Sequence, residues 1–171
     1  MATNVRAKKI KLVICDVDGV LTDGKIIYDS SGNESKNFDV QDGLGLVLLK
    51  RCGIQTAIIS ARASEVVAHR AKDVQIQHVF TGAFPKLAAY DQLVKKLNVK
   101  DIEVCFIGDD LPDLAIMKRV GLAVAVLNAV AQVKRVAHDT TRKRGGEGAV
   151  REVAEKILKA QGFWPGILKD I

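Results

Sequence analysis

The sequence has few cysteines, few aromatic residues and no long apolar run. Its three cysteines, Cys15, Cys52 and Cys105, match neither a metal clip nor a disulfide framework, so they read as core residues of a reduced, cytoplasmic protein. Aromatic residues make up 5% of the chain and do not interleave with the basic ones. That removes the stacking platform a single-strand nucleic-acid binder uses. No apolar run approaches the roughly 20 residues of a membrane span. The basic N-terminus, MATNVRAKKIKL, is followed by Asp16 and Asp18, which interrupt the run from Ile10 and exclude the apolar core of a secretory leader. Repeats, linkers and low-complexity segments are also missing. The expectation is a soluble protein of one domain, residues 1–171, whose 48% hydrophobic content suffices for a core.

The chain does have positive charge. A net charge of +6 suits an anionic partner, with part of the excess in Lys134, Arg135, Arg142, Lys143 and Arg144. With stacking residues scarce, a phosphate ester is a better reading of that partner than a nucleic acid.

Short apolar runs rich in β-formers recur at 11–15, 55–60, 78–80, 103–107 and 122–126. Stretches with helical spacing separate them, at 43–51, 64–72, 86–97, 112–120, 129–137 and 147–161. The runs are continuous rather than alternating, as in strands buried on both faces, and the helices are long enough for crossovers. The predicted class is therefore α/β, a doubly wound, mostly parallel sheet. Residues 25–39 break the alternation and read as a β-hairpin around Ser30, Ser31, Gly32 and Asn33. The tail 162–171 carries Phe163, Trp164, Ile167 and Leu168, which need an apolar cover.

Ligands of open parallel sheets bind at the carboxyl ends of the strands. Those ends read Asp16-Val17-Asp18-Gly19, Ser60-Ala61-Arg62 and Gly108-Asp109-Asp110, with Asp113 close behind and Lys86 opening the helix after the third strand. Each residue has an ordinary alternative. Asp16 and Asp18 could open a calcium loop, but Val20 occupies the third ligand position. Ser60, Asp110 and Asp113 could be helix caps, and Lys86 a solvated lysine. Only the joint pattern argues otherwise.

In that pattern the sequence resembles the haloacid dehalogenase superfamily of phosphotransferases, with DVDGV at 16–20, Ser60, Lys86 and GDDLPD at 108–113 in the superfamily's order. The resemblance implies a phosphatase. Asp16 is then the nucleophile and Asp18 the acid and base. Ser60 and Lys86 hold the phosphoryl group, and Mg²⁺ is bound by Asp16, Asp109 and the Asp18 carbonyl. Asp110 and Asp113 would orient the metal's waters or Lys86 without touching the metal. The gaps after the first motif and between Ser60 and Lys86 are too short for an inserted cap domain.

A narrower resemblance runs over essentially the full length. DVDGVLTDG (16–24), FDVQDGLG (38–45), SAR (60–62), GDDLPD and GGEGAVREV (145–153) are similar to the capless sugar-acid phosphatases of lipopolysaccharide sugar synthesis. This implies a small-molecule substrate, 3-deoxy-manno-octulosonate 8-phosphate. It also implies a homotetramer whose hairpins and C-terminal segments reach neighbouring sites, Arg144 among the candidates. Carried over by position, the substrate contacts are Asp18, Asp42, Gly43, Arg62, Arg70 and Lys86. Gln41 departs from the pattern, standing where some members carry Arg. Two other classes stay open from the residues themselves: a capless phosphatase acting on a nucleic-acid end or a protein, and a non-catalytic scaffold.

Overall fold

The computed structural model describes residues 2–169. A helix α1 (Ala2–Ala7) precedes β1 (Leu12–Cys15), whose four side chains are all buried, so both faces of the strand are covered. A hairpin, β2 (Ile27–Tyr28) and β3 (Glu34–Ser35), follows. Then come α2 (Val40–Arg51), β4 (Gln55–Ile59), α3 (Glu65–Asp73), β5 (His78–Phe80), α4 (Lys86–Leu97) and β6 (Val104–Gly108). The last third holds α5 (Leu114–Met117), β7 (Leu122–Ala125), α6 (Ala131–Val136), β8 (Asp139–Thr140), α7 (Ala149–Ala160) and α8 (Trp164–Lys169).

The six-stranded sheet has the order β5-β4-β1-β6-β7-β8, and every pairing in it is parallel. From β1 the chain builds outward through β4 to β5, then returns to β1's other side and builds outward again from β6. The direction of winding reverses at β1, and the crevice beyond such a reversal is where open α/β sheets bind ligands.

The structure departs from the sequence reading in local detail. The helix expected over 112–120 is a 3₁₀ turn (Leu111–Asp113) followed by the single turn of α5. The edge strand β8 carries Asp and Thr, so it has no apolar run to betray it. In the hairpin, Asp29 Oδ1 accepts the Ser31 and Asn33 N–H groups at 2.8 Å each, closing the turn over Gly32. The hairpin's base is tied to the domain by a bridge between Thr22 and Phe38. The tail's first residues form α8, with Trp164 and Ile167 packed against the core and Leu168 exposed; residues 170 and 171 lie outside the described residues.

Helix α7 shows what sets an element's position. Val150, Val153, Ala154, Ile157 and Leu158 form one buried stripe at helical spacing. Each Val, Ile or Leu of the stripe contributes about 1.5–3 kcal/mol on burial, so the stripe holds the helix down. Where the helix begins is set by Asp42 of α2, whose carboxylate accepts the Arg151 N–H at 2.8 Å and the Gly148 N–H at 3.3 Å. Burial pushes the Asp42 carboxyl up to about 6, against the pull of these N–H groups.

Asp42→Ala leaves two amides without their acceptor, a loss of about 1–3 kcal/mol. At roughly 2–4 °C per kcal/mol for a domain of this size, a thermal melt should show a clear drop. An unchanged melting temperature would contradict the capping role.

Candidate active site

Register brings the site together. Cys15 pairs with Ile58 on one side and Ile107 on the other, so Asp16, at the end of β1, stands between the ends of β4 and β6. Ser60 and Asp109 follow those strand ends directly. Lys86, the first residue of α4, sends its ammonium to Asp16 Oδ1 and Asp113 Oδ1, 2.7 Å from each. Asp113 is fully buried, and its other oxygen accepts the Asp109 N–H at 2.9 Å and the Asp110 N–H at 3.3 Å.

One carboxylate oxygen each from Asp16, Asp109 and Asp113 lies within 4.8 Å of the others. A single ammonium faces the three carboxylates, two of them buried and Asp109 half-buried, which leaves two negative charges uncompensated. Burial, followed by repulsion from Asp113, pushes Asp16 up to about 6, with Lys86 pulling the other way. Burial and then Asp16 and Asp113 push Asp109 up to about 8. Burial alone would lower Lys86, but Asp16 and Asp113 outweigh it and hold the ammonium above its ordinary value. Asp109 Oδ1 is buried with no hydrogen-bond partner. Hard oxygen ligands, excess negative charge and an orphaned acceptor together fit a divalent cation such as Mg²⁺.

The loop after β1 is shaped to meet this cluster. Gly19 has φ +91°, and a Cβ there would run into the Asp109 carboxylate. Thr22 Oγ1 accepts the Gly19 and Gly24 N–H groups at 3.3 and 3.2 Å and donates to the Val17 carbonyl. From behind, Asn128 donates to the Gly19 carbonyl at 3.1 Å and accepts the Gly145 N–H at 2.7 Å. Gly145 lies so close to the Gly19 carbonyl that any side chain would collide with it.

Asp18 is not part of the carboxylate cluster. Its Oδ1 takes the ammonium of Lys36 from the hairpin, and its Oδ2 lies 4.0 Å from Arg62 Nε. Arg62 also donates to Glu34 at 2.9 Å and Tyr28 at 3.1 Å. Ser60 is buried, and its Oγ accepts the Arg62 N–H at 3.4 Å. Ser64, a competing cap candidate, instead donates to Glu34. Asp110 caps the 3₁₀ turn through the Leu111 N–H and stays out of the cluster.

Three residues expected at the substrate are engaged elsewhere in this chain. Asp42 caps α7, and Arg70 donates to Asp73 at 2.6 Å and to the Asp39 carbonyl at 3.1 Å. Gly43 backs onto the Arg70 guanidinium. Arg144 is exposed, 4.0 Å from Glu147. Residues the sequence reading passed over are Lys36, Glu34, Tyr28, Thr22 and Asn128. The strand-end rule would have found Asn128, which follows β7. Lys36 and Glu34, in a polar hairpin, carried no such signal.

A carboxyl raised in the folded state keeps its proton at pH values where the unfolded chain has lost it. The contribution is therefore fully present below about pH 4 and is lost as pH rises through the Asp16 and Asp109 values of about 6 and 8. Melting followed in EDTA should show a falling midpoint from about pH 4 to 8, levelling off above that, and Mg²⁺ should raise the midpoint more at the alkaline end. A flat profile in EDTA, or no response to Mg²⁺, would contradict this charge balance.

A model of the haloacid dehalogenase-like hydrolases matches residues 55–153. A 3-deoxy-D-manno-octulosonate 8-phosphate phosphatase of Yersinia pestis is 45% identical over 156 residues, covering 91% of this chain and 83% of the relative. The solved phosphatase of the same name from Moraxella catarrhalis, in complex with magnesium, phosphate and the KDO molecule, is 48% identical. It superposes with a TM-score of 0.95 over 99% of this chain and 98% of its own. A cobalt-bound deoxy-D-mannose-octulosonate 8-phosphate phosphatase from Haemophilus influenzae is 40% identical, with a TM-score of 0.88 over 92% of each chain. With the family model matching more than half of the sequence and relatives of this identity spanning nearly all of it, the chain belongs to the haloacid dehalogenase-like hydrolases.

Proposed function

We propose that the chain is a magnesium-dependent phosphomonoesterase that releases phosphate and the free sugar acid from 3-deoxy-D-manno-octulosonate 8-phosphate. The observation that carries this reading is the cluster of two buried carboxylates, Asp16 and Asp113, and the half-buried Asp109 around one ammonium at the sheet's switch point, with an unpartnered Asp109 oxygen. The substrate follows from relatives at 45% and 48% identity that are named for it.

Uncatalysed phosphate monoester hydrolysis is among the slowest of reactions, and a dianionic phosphoryl group repels an attacking carboxylate. Asp16 and Asp109, with the Asp18 carbonyl, would hold Mg²⁺, which when bound offsets the charge between carboxylate and phosphoryl group. Asp16 attacks phosphorus as the bond to the sugar oxygen breaks, forming an aspartyl-phosphate. Asp18 gives its proton to the leaving oxygen, then takes one from the water that attacks the aspartyl-phosphate. Lys86 balances charge on Asp16 and on the transferring group, and Ser60 donates to a phosphoryl oxygen. Asp113 fixes Lys86 on the nucleophile and, through the Asp109 N–H, fixes the Asp109 backbone.

The reading extends to assembly. With no cap domain among the described residues, a second subunit would shield the crevice. Ile26, Ile27 and Tyr28 on the hairpin, with Val40 and Leu44 beside it, are exposed apolar side chains suited to a homotetramer contact. Among the described residues no helix is long and apolar enough to cross a membrane, and the three cysteines are unpaired, which supports a cytoplasmic setting.

Asp16→Asn should lower kcat by about 10⁴-fold or more while the melting temperature holds or rises, since Lys86 keeps Asp113 as a partner and one uncompensated carboxylate is gone. Loss of folding in this variant would make Asp16 structural. Against a panel of monoesters, kcat/KM should be highest for 3-deoxy-D-manno-octulosonate 8-phosphate and should vanish in EDTA. Preference for a phosphopeptide or a nucleotide would overturn the substrate while sparing the chemistry.

A further inference from the structure

The hairpin does more than project from the domain. Its second strand alternates, so Glu34 and Lys36 share one face. Lys36 is the unusual member: its side chain is fully buried, and a buried ammonium is costly unless it is paired. Its partners are Asp18 Oδ1 and Glu34 Oε1, the latter at 3.3 Å. Glu34 is itself fixed by Arg62 at 2.9 Å and by Ser64 at 2.5 Å. Thus a chain of charge-assisted bonds runs from the loop before α3 through the hairpin to one oxygen of Asp18.

Asp18 has two chemically equivalent oxygens, and a general acid works only when the protonated one faces the leaving group. Lys36 removes the equivalence. An ammonium has donors and no acceptor, so the oxygen it holds cannot carry the transferable proton without losing that bond. We propose that Lys36 is a positioning residue for Asp18: by holding Oδ1 it assigns proton transfer to Oδ2. In the step this serves, the Asp16 oxygen–phosphorus bond forms and the bond from phosphorus to the leaving oxygen breaks. The proton on Asp18 Oδ2 passes to that oxygen, so the leaving group departs as a neutral alcohol. The inference rests on the phosphatase reading above and adds a residue from outside its sequence motifs.

The test exploits leaving groups that differ in their need for a proton. An alkyl monoester such as β-glycerophosphate must be protonated as it leaves; p-nitrophenyl phosphate need not be. With Mg²⁺ present, Lys36→Met should lower kcat/KM for the alkyl ester about 100-fold and for the aryl ester by less than about threefold. Retained aryl turnover in the same sample reports that the variant is folded. Lys36→Arg, which restores a donor to Oδ1, should recover at least about tenfold of the alkyl loss. Equal losses on both esters, or no loss on either, overturn the positioning role, as does a failure of Lys36→Arg to recover anything. Should Lys36→Met not fold, Glu34→Gln, which loosens the ammonium from its second partner, must show the same selective alkyl loss, and equal losses there also overturn it. Absence of magnesium-dependent turnover of either ester by the unaltered chain would sink the phosphatase reading itself, a result distinct from all of these.

Discussion

Everything at the crevice depends on one electrostatic constraint: a single buried ammonium, Lys86, is set among Asp16, Asp109 and Asp113. One positive charge cannot balance three carboxylates in a low-dielectric pocket. The metal-free protein answers by holding protons on Asp16 and Asp109 above their ordinary range. A divalent cation answers the same imbalance without protons, so the geometry that crowds these carboxylates is the geometry that favours a metal. Asp113 makes this arrangement rigid, since its two oxygens are spent on Lys86 and on the amides that start the turn after β6.

Around that cluster the fold supplies two layers of support. Behind Asp16, Thr22, Asn128 and the Gly145–Gly146 pair clamp the loop carrying Gly19, whose missing side chain lets Asp109 approach. Farther out, Asp42 ties α2 to the start of α7, and α7 follows directly on the glycine loop. The packing of two helices therefore sets the height of the loop that backs Asp16 and Asp18. In front, the hairpin reaches Asp18 through Lys36 and Arg62 through Glu34.

What the sequence made legible follows from these physical differences. β1, β6 and β7 are continuous apolar runs because both their faces are buried, and a residue just past such a run, such as Asp16 or Asp109, declares itself by polarity. Lys86 and Asp113 could be placed by spacing from those ends. β8 escaped because a two-residue polar edge strand has no period to read, and α1 because six residues are too few to show one. Asp42 and Arg70 were assigned to substrate by resemblance, while in this chain their hydrogen bonds go to helix ends and neighbouring backbone. Lys36 was invisible for another reason. A lysine in a polar hairpin reads as solvated, and only the three-dimensional return of the hairpin onto Asp18 buries it.

The central claim is that the crevice transfers a phosphoryl group onto Asp16. Rapid acid quenching of the protein mixed with Mg²⁺ and 3-deoxy-D-manno-octulosonate 8-phosphate, followed by peptide mass spectrometry, tests it directly. The account predicts a peptide spanning Asp16 that is heavier by one phosphoryl group, present at early times and removed by hydroxylamine. Rapid phosphate release with no modified Asp16 at any time would mean that water attacks the ester directly, and would contradict it.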